Sequence, residues 1–431
     1  MTPVNEMKPL RGESLIHHPE DLKRQVEEVV ESTPVTDMHT HLFAPQFGEL
    51  NLWGIDHLLN YHYLIAEMFR ASDVKADAYW RLGKAEQADL IWETLFVRNT
   101  PLSEAARGVV AVLSALGLDA RAEDLREARS FFRNQKPENY LDQVVRLSRV
   151  TDIVMTNDPF DPAEVKVWDQ RVPYDARFHA ALRLDPLLND WSGAAPRLRS
   201  RGYLVGDGFD GQTSGELRRF LDDWIERMRP LYLAVSLPDS FVYPDASQST
   251  RVLQGVVLPA CAHHRLPLAL MIGVRRSVNP ALRSAGDGVG RADISAVHNI
   301  CLENPGCRFL VTMLSRENQH ELCVAARKFS NLLPFGCWWF LNNPSIVHEI
   351  SSERLELLGT SFVAQHSDAR ILDQLVYKWK HARRAVAGVL YEAYRHLLED
   401  GRAVTQVEIK RDANQLLSGN FREWVGMPAK G

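Results

Sequence analysis

Two histidines stand two residues apart in DMHTHLF, His39 and His41. In an extended strand, side chains at i and i+2 leave the same face, so both imidazoles can address one centre. Neutral imidazole is a common ligand of zinc and other divalent metals. A carboxylate far along the chain, Asp368 in QHSDAR, offers a third ligand, a proton acceptor, or both. Its competing use is as a helix N-cap, since Ser367 and Asp368 precede the helical ILDQLVYKWKHARR. His366, two residues before Asp368, is read as a supporting residue. Three arginines, Arg183 in ALRLD, Arg316 in LSREN and Arg370 just after Asp368, recur in comparable positions. A guanidinium fork grips a carboxylate through two parallel hydrogen bonds, so converging arginines point to an acidic substrate. Asp239 can orient one of them or bind substrate hydroxyls. Trp338 and Trp339 in GCWWF can wall the site, with one of the pair packing in the surrounding shell.

These residues can meet only if strand ends bring them together. Short apolar runs recur along the chain: PVTDMHTH at 34–41, TDIVMTND at 151–158, ARFHAALRLD at 176–185, LYLAVSLPD at 231–239, LPLALMIG at 266–273, CRFLVTML at 307–314, LLPFGCWWF at 332–340 and TSFVAQHSD at 360–368. Continuous apolar runs suit parallel strands buried on both faces, and helical periodicity between them implies right-handed βαβ units. Eight such units closing on themselves make an α/β (β/α)8 TIM-type barrel, in which the first and eighth strands are neighbours and Asp368 faces His39 and His41. An open doubly wound sheet is the alternative, but no dinucleotide fingerprint follows the first strand. The chain is read as one barrel domain over 1–431, with a helical insertion at 64–140 after the first strand. That insertion contains TPLSEAARGVVAVLSALG, with Thr100 as cap and Pro101 at the first helical position, then RAEDLREARSFF and PENYLDQVVRLSRV. A helix before the first strand carries Leu22, Val26, Val29 and Val30 on one face and stops at Pro34. The glycines of AGDGVGR at 285–291 are read as a plain flexible loop.

Composition bounds the class. The chain has 431 residues, 45% hydrophobic and 24% charged, an ordinary globular balance. Lys and Arg number 50 against 55 Asp and Glu, for a net charge of -5, which argues against a nucleic-acid-binding surface. The longest apolar stretches, such as LPLALMIGV, are too short for a membrane helix, and MTPVNEMKPLRGESLIHH lacks the apolar core of a signal peptide. The five cysteines, Cys261, Cys301, Cys307, Cys323 and Cys337, form no CxxC pair, which is the pattern of a reduced, cytoplasmic chain.

Taken together the motifs resemble the uronate isomerase (glucuronate isomerase) family of the amidohydrolase superfamily over roughly residues 20–425. His39 and His41 match its first-strand HxH. Tyr61, His62 and Tyr63 look like its DHY segment. Arg183 in ALRLD fits its RPD strand end, Asp239 its acidic residue after the fourth strand, and Arg316 its arginine after the sixth. FGCWWF and HSDAR closely resemble FGxGWWF and TDSR. The resemblance implies an aldose–ketose isomerase that converts D-glucuronate to D-fructuronate and D-galacturonate to D-tagaturonate through an enediol. It implies proton transfer by Asp368, Tyr63 and His62, and substrate binding by Arg183, Asp239, Arg316, Trp339 and Arg370. It also implies one weakly held divalent metal, zinc, at His39, His41 and Asp368, with a weak requirement for it. The partner is a small sugar acid, with no nucleic acid and no membrane; a homo-oligomer is compatible with it. A sugar-acid epimerase and a mononuclear metal-dependent hydrolase or decarboxylase are the rival chemistries on such a scaffold, and a catalytically dead binding barrel is the rival from another class.

One departure stands out. The family's HIGALR strand carries a histidine, whereas the aligned residues here are Met271-Ile272-Gly273-Val274-Arg275-Arg276. A thioether neither donates a charge-assisted hydrogen bond nor moves a proton. The expected consequence is a narrowed substrate range, with His298 or His179 as candidates to stand in spatially.

Overall fold

The computed structural model describes residues 15–428. Most of the N-terminal stretch considered above for a signal peptide lies outside them, as do the last three residues. Seven parallel strands pair in chain order: β1 Val35–Thr40, β2 Val150–Asn157, β3 Phe178–Arg183, β4 Leu233–Pro238, β5 Leu268–Arg275, β6 Phe309–Met313 and β7 Leu332–Pro334. All fall inside the apolar runs read from the sequence, apart from two residues at the end of β5 and one at the start of β2. Helices follow the strands, among them Pro162–Gln170 after β2, Gly211–Met228 after β3, Ser295–Glu303 after β5, Gln319–Ala326 after β6 and Pro344–Leu358 after β7. The sheet curls as an α/β barrel must.

The eighth segment differs from the expected strand. It meets β7's continuation by a single parallel bridge, Phe335 to Val363. Its other amides are spent elsewhere: Ala364 N–H donates to Leu416 O at 3.0 Å, and Ser367 N–H to the Asp37 carboxylate at 3.0 Å. It still reaches β1, because Asp368 N–H donates to His39 O at 3.2 Å and His41 N–H to Ala369 O at 2.7 Å. The seam between the last and first segments is therefore irregular backbone, and it is where the chemistry-bearing residues sit. β7 is likewise shorter than expected. After Pro334 the chain turns at Gly336, and Trp339–Leu341 forms a 3₁₀ turn.

Continuous apolar strands conceal a clean alternation. On β5, Leu268, Leu270 and Ile272 belong to the large core between sheet and helices, while Ala269 and Met271 belong to a second core inside the barrel. On β4 the same division separates Leu233, Val235 and Leu237 from Ala234. The inner core also holds Met38, Val154, Tyr232, Leu310, Phe335, Trp338 and Trp339.

Between β1 and β2 the chain forms helices at His62–Arg70, Lys84–Trp92, Glu104–Ala115, Arg126–Arg133 and Pro137–Ser148. The helix expected to start at Thr100 and Pro101 starts at Glu104 instead. Ser103 caps it, its hydroxyl accepting from Ala106 N–H at 3.1 Å, so the capping side chain lies three residues later than read. Gly108 on this helix touches the Tyr377 ring of helix Gln374–Glu399, where a Cβ would come within 2.6 Å. The AGDGVGR segment is not a free loop. Gly288–Val289 pairs antiparallel with the end of β5, and Gly290 N–H donates to Gly273 O at 3.0 Å. The helix before β1, Pro19–Ser32, buries the four residues expected.

Candidate active site

β1 and the eighth segment bring His39, His41 and Asp368 together. The two imidazole rings lie 5.5 Å apart and nearly perpendicular, and their Nε2 atoms are 3.7 and 3.4 Å from Asp368 Oδ1. Asp368 has φ of 50°, so the chain takes a left-handed turn to aim this carboxylate at the histidines. It does not cap the following helix, which begins at Gln374 with Asp373 at the cap position.

Each histidine is oriented by a hydroxyl from a neighbouring strand region. Tyr232 OH donates to Met38 O at 2.6 Å, so its oxygen can only accept from His39 Nδ1 at 3.3 Å. Thr156 donates its hydroxyl proton to Thr40 O and accepts from His41 Nδ1 at 3.4 Å. Both protons therefore sit on Nδ1, and both Nε2 lone pairs face Asp368. Burial lowers His39 to about 3 and His41 to about 4, so both rings are neutral at pH 7. Burial also pushes the Asp368 carboxyl up, yet it stays below the usual carboxylate range, with the Arg370 guanidinium among the charges that hold it there. Asp368 Oδ1 is buried without a hydrogen-bond partner. Three acceptor atoms within 4.8 Å of one another, with no donor among them, form a site that a cation satisfies. The chain's residues thus fit one divalent metal.

Aromatic side chains close in from the start of helix His62–Arg70. Trp339 Nε1–H donates to His62 Nε2 at 3.1 Å, which leaves the His62 proton on Nδ1. Burial drives His62 well below its ordinary value, so this ring too is neutral. Tyr63 stacks on Phe340 at 6.0 Å, and its hydroxyl is buried without a hydrogen-bond partner. Burial, with the neighbouring Tyr61 and the Asp368 charge, raises Tyr63 well above its ordinary value. The phenol is thereby favoured over the phenolate, which suits it to donate a proton.

The acid-binding residues are placed unequally. Arg183 is held by Asp185 through Nε at 2.6 Å and Nη2 at 3.2 Å, with Nη1 left over for a ligand. Arg370 is exposed and makes no side-chain hydrogen bond or ion pair among the described residues, yet its charge acts on His41, His62 and Asp368. Asp239 is tied to Arg275 Nε at 2.6 Å. Arg316 is 58% exposed and pairs with Glu349 at 2.8 Å, so no contact joins it to the triad. Met271 faces the barrel interior, flanked in register by Ser236 and Thr312. Neither stand-in histidine is near it: His179 pairs with Asp152 at 3.1 Å, and His298 packs on Phe329. His366 is fully buried 5.3 Å from the His39 ring, with neither ring nitrogen hydrogen-bonded.

Beyond Asp185, the aspartate of ALRLD, three residues of this region carry no sequence signal as motifs. Tyr232 and Thr156 orient the histidines, Asp185 orients Arg183, and Lys378 is buried with its ammonium 5.7 Å from the Tyr61 ring and 6.0 Å from Tyr377. The inward parity of Tyr232 with Ala234 is the one cue that was available.

A curled parallel sheet with a histidine–histidine–aspartate centre at its carboxyl ends is the plan of a barrel enzyme. Comparison with known proteins sharpens the class. No protein-family model and no curated protein sequence matches the chain. Among solved structures, a uronate isomerase from Bacillus halodurans C-125 is 52% identical, covers 96% of this chain and 98% of its own, and superposes with a TM-score of 0.94. A uronate isomerase from Thermotoga maritima (15% identity, 97% and 100% coverage, TM-score 0.77) and a glucuronate isomerase from Caulobacter crescentus (14%, 98% and 98%, 0.76) share the fold. The chain belongs to the uronate isomerase family, and it is an isomerase.

Proposed function

We propose that the enzyme interconverts hexuronates and their 2-keto isomers, D-glucuronate with D-fructuronate and D-galacturonate with D-tagaturonate, through an enediol. The observation that carries this reading is the 52% identity, over nearly the whole chain, to a uronate isomerase whose fold superposes on this one, together with the buried Asp368 carboxylate facing His39 and His41. The C2 proton of an aldose is weakly acidic, so the carbonyl must be polarised as the base acts. Asp368 takes the proton from C2 and returns it to C1. Tyr63 donates toward the oxygen that gains charge, and His62, with its proton on Nδ1, supplies a second donor. Arg183 and Arg370 take the uronate carboxylate and the developing oxyanion, with Trp339 as wall. Asp239 and Arg316 hold outer positions, through Arg275 and Glu349, from which a closing substrate would recruit them. A divalent ion held by His39, His41 and Asp368, which we read as one weakly bound zinc, would supply Lewis-acid polarisation of the substrate oxygens.

The chain is read as one barrel unit over 1–431, with residues 64–140 as an insertion over the barrel mouth. No helix among the described residues is long and apolar enough to cross a membrane. The five cysteines are all free and buried, which suits a reducing, cytoplasmic setting.

Incubation of the purified protein with D-glucuronate and D-galacturonate should yield the ketouronates D-fructuronate and D-tagaturonate, with deuterium from heavy water entering C1 of the ketose or C2 of recovered aldose. Release of carbon dioxide, or exchange with no ketose formed, would move the enzyme to the decarboxylase or epimerase class.

A further inference from the structure

A cavity of about 420 Å³ opens at the carboxyl ends of β4 and β5, within the size range of small-molecule sites. The residues that line it are unlike a packing defect. Ser240, Ser247 and Ser249 supply hydroxyls, Phe241 and Val242 an apolar face, Asp245 a carboxylate already held by Ser247 and Thr250, and Arg276 a guanidinium whose Nη1 is tied to Asp287 at 2.6 Å with its other N–H groups left over for a ligand. That is the complement of a polyol with an acid group: hydroxyls for hydroxyls, apolar surface for a sugar ring face, guanidinium for carboxylate. None of the site residues implied by the family resemblance lines it, although Val274 and Arg276 belong to the segment aligned with HIGALR.

Two chains of contact tie the cavity to the reaction site. Arg276 lies over the Trp339 ring at 5.6 Å, and Trp339 in turn donates to His62. Ser236, also on the cavity wall, gives its N–H to Asp185 Oδ1 at 3.2 Å, the carboxylate that holds Arg183. Ser236 is moreover the register partner of Met271, the inward residue that stands where the resemblance expects a histidine. A ligand bridging the cavity and the triad would cross one mouth, walled by Arg276 and Trp339.

The chemistry says what can span that mouth. Isomerisation changes bonds only at C1 and C2 of the uronate. The C4 hydroxyl takes no part and can carry a glycosidic bond. We infer that the cavity lined by Ser240, Val242, Ser249 and Arg276 is a second sugar-acid subsite, which takes the uronyl residue joined at O4 to the reducing-end uronate. The inference rests on the proposed hexuronate chemistry, and it makes the enzyme an isomerase of the reducing ends of short oligouronides as well as of free uronates.

Steady-state kinetics with D-galacturonate and 4-linked digalacturonate test turnover, and calorimetry with the corresponding reduced alditols, which cannot be isomerised, tests binding apart from chemistry. The expected result is that Val242→Trp and Ser249→Trp, two independent fillings of the cavity, leave monouronate kcat/KM unchanged. Both should weaken disaccharide kcat/KM and reduced-disaccharide binding about tenfold, the scale of one or two lost hydrogen bonds. Arg276→Gln should weaken the disaccharide acid more than its methyl ester. Failure to isomerise monouronates, with cavity-dependent binding of the reduced disaccharide intact, would overturn the proposed function and leave the subsite standing. Equal binding of reduced mono- and disaccharide, or disaccharide kinetics indifferent to both tryptophans, would overturn the subsite.

Discussion

Asp368 meets two demands with one carboxylate: it faces the lone pairs of His39 and His41, and it is the one ionised acceptor in contact with them. Asp368→Asn keeps the shape but cannot accept the C2 proton. Turnover should fall by about 10²–10⁴-fold with the circular dichroism spectrum unchanged, since that is the usual size of a general-base contribution. Tyr63→Phe removes a donor and keeps the stack on Phe340, so it should lower kcat more than it raises KM. Near-normal kcat in both variants would remove these roles. The hydroxyls behind the histidines make a separate prediction. Tyr232→Phe and Thr156→Val each free an Nδ1 proton and loosen the ring, so competition with a zinc chelator should show metal affinity weakened about 10–100-fold. Unchanged affinity would mean the hydroxyls do not set the tautomers. The histidine pair and Asp368 were legible in the sequence because strand parity and barrel closure place strand ends together. Tyr232 and Thr156 were not, because a tyrosine or threonine in an apolar strand looks the same whether or not an imidazole stands behind it.

At the scale of elements, the seam between the eighth segment and β1 is what aims the site. Apolar runs revealed β1 to β7, since residues buried on both faces leave that mark whatever the topology. They also marked the eighth segment as a strand, and there the reading fails for a local reason. The segment ends in Gln365, His366, Ser367 and Asp368, all buried, and its amides go to Leu416 O and the Asp37 carboxylate instead of a ladder. The same limit hid Ser103: a run of Thr, Pro and Ser offers several caps, and only the observed bond to Ala106 N–H chooses between them. Gly336 is the turn that lets the seam form. It has φ of 57°, and a Cβ there would fall 1.9 Å from His366 Nδ1, on a ring wedged between His39 and Phe335. Gly336→Ala combines a left-handed backbone with a rigid clash. It should cost about 1–3 kcal/mol or more in urea unfolding and weaken metal binding by displacing His39. A variant as stable as wild type, with unchanged metal affinity, would show that His366 has room to move.

For the whole molecule, buried titratable groups set how stability follows pH, and their signs oppose. In metal-free protein His39 and His41 stay neutral down to about 3 and 4, whereas the unfolded chain protonates near the ordinary 6.5. The unfolded state therefore binds more protons in that window, so stability is full above 6.5 and is lost as pH falls toward the folded values. Burial raises Asp37 to about 6 and Glu164 to about 8. Each native carboxyl holds a proton that the unfolded chain has released, so stability falls as pH rises from the ordinary carboxylate value to the folded one. Burial lowers His62 and His366 in the same direction, so on the acid side the histidines outnumber these two acids. Above 6.5 Glu164 still titrates, and it lowers stability up to about pH 8. Glu164→Gln keeps an oxygen to accept from Asn157 Nδ2 and Asp158 N–H, now 3.0 and 3.1 Å away, without a charge to bury. Melting of the chelator-treated protein should therefore show Tm falling between pH 6.5 and 8 in the wild type and falling less steeply in Glu164→Gln. If the two proteins show the same slope there, Glu164 does not hold its proton above the ordinary range.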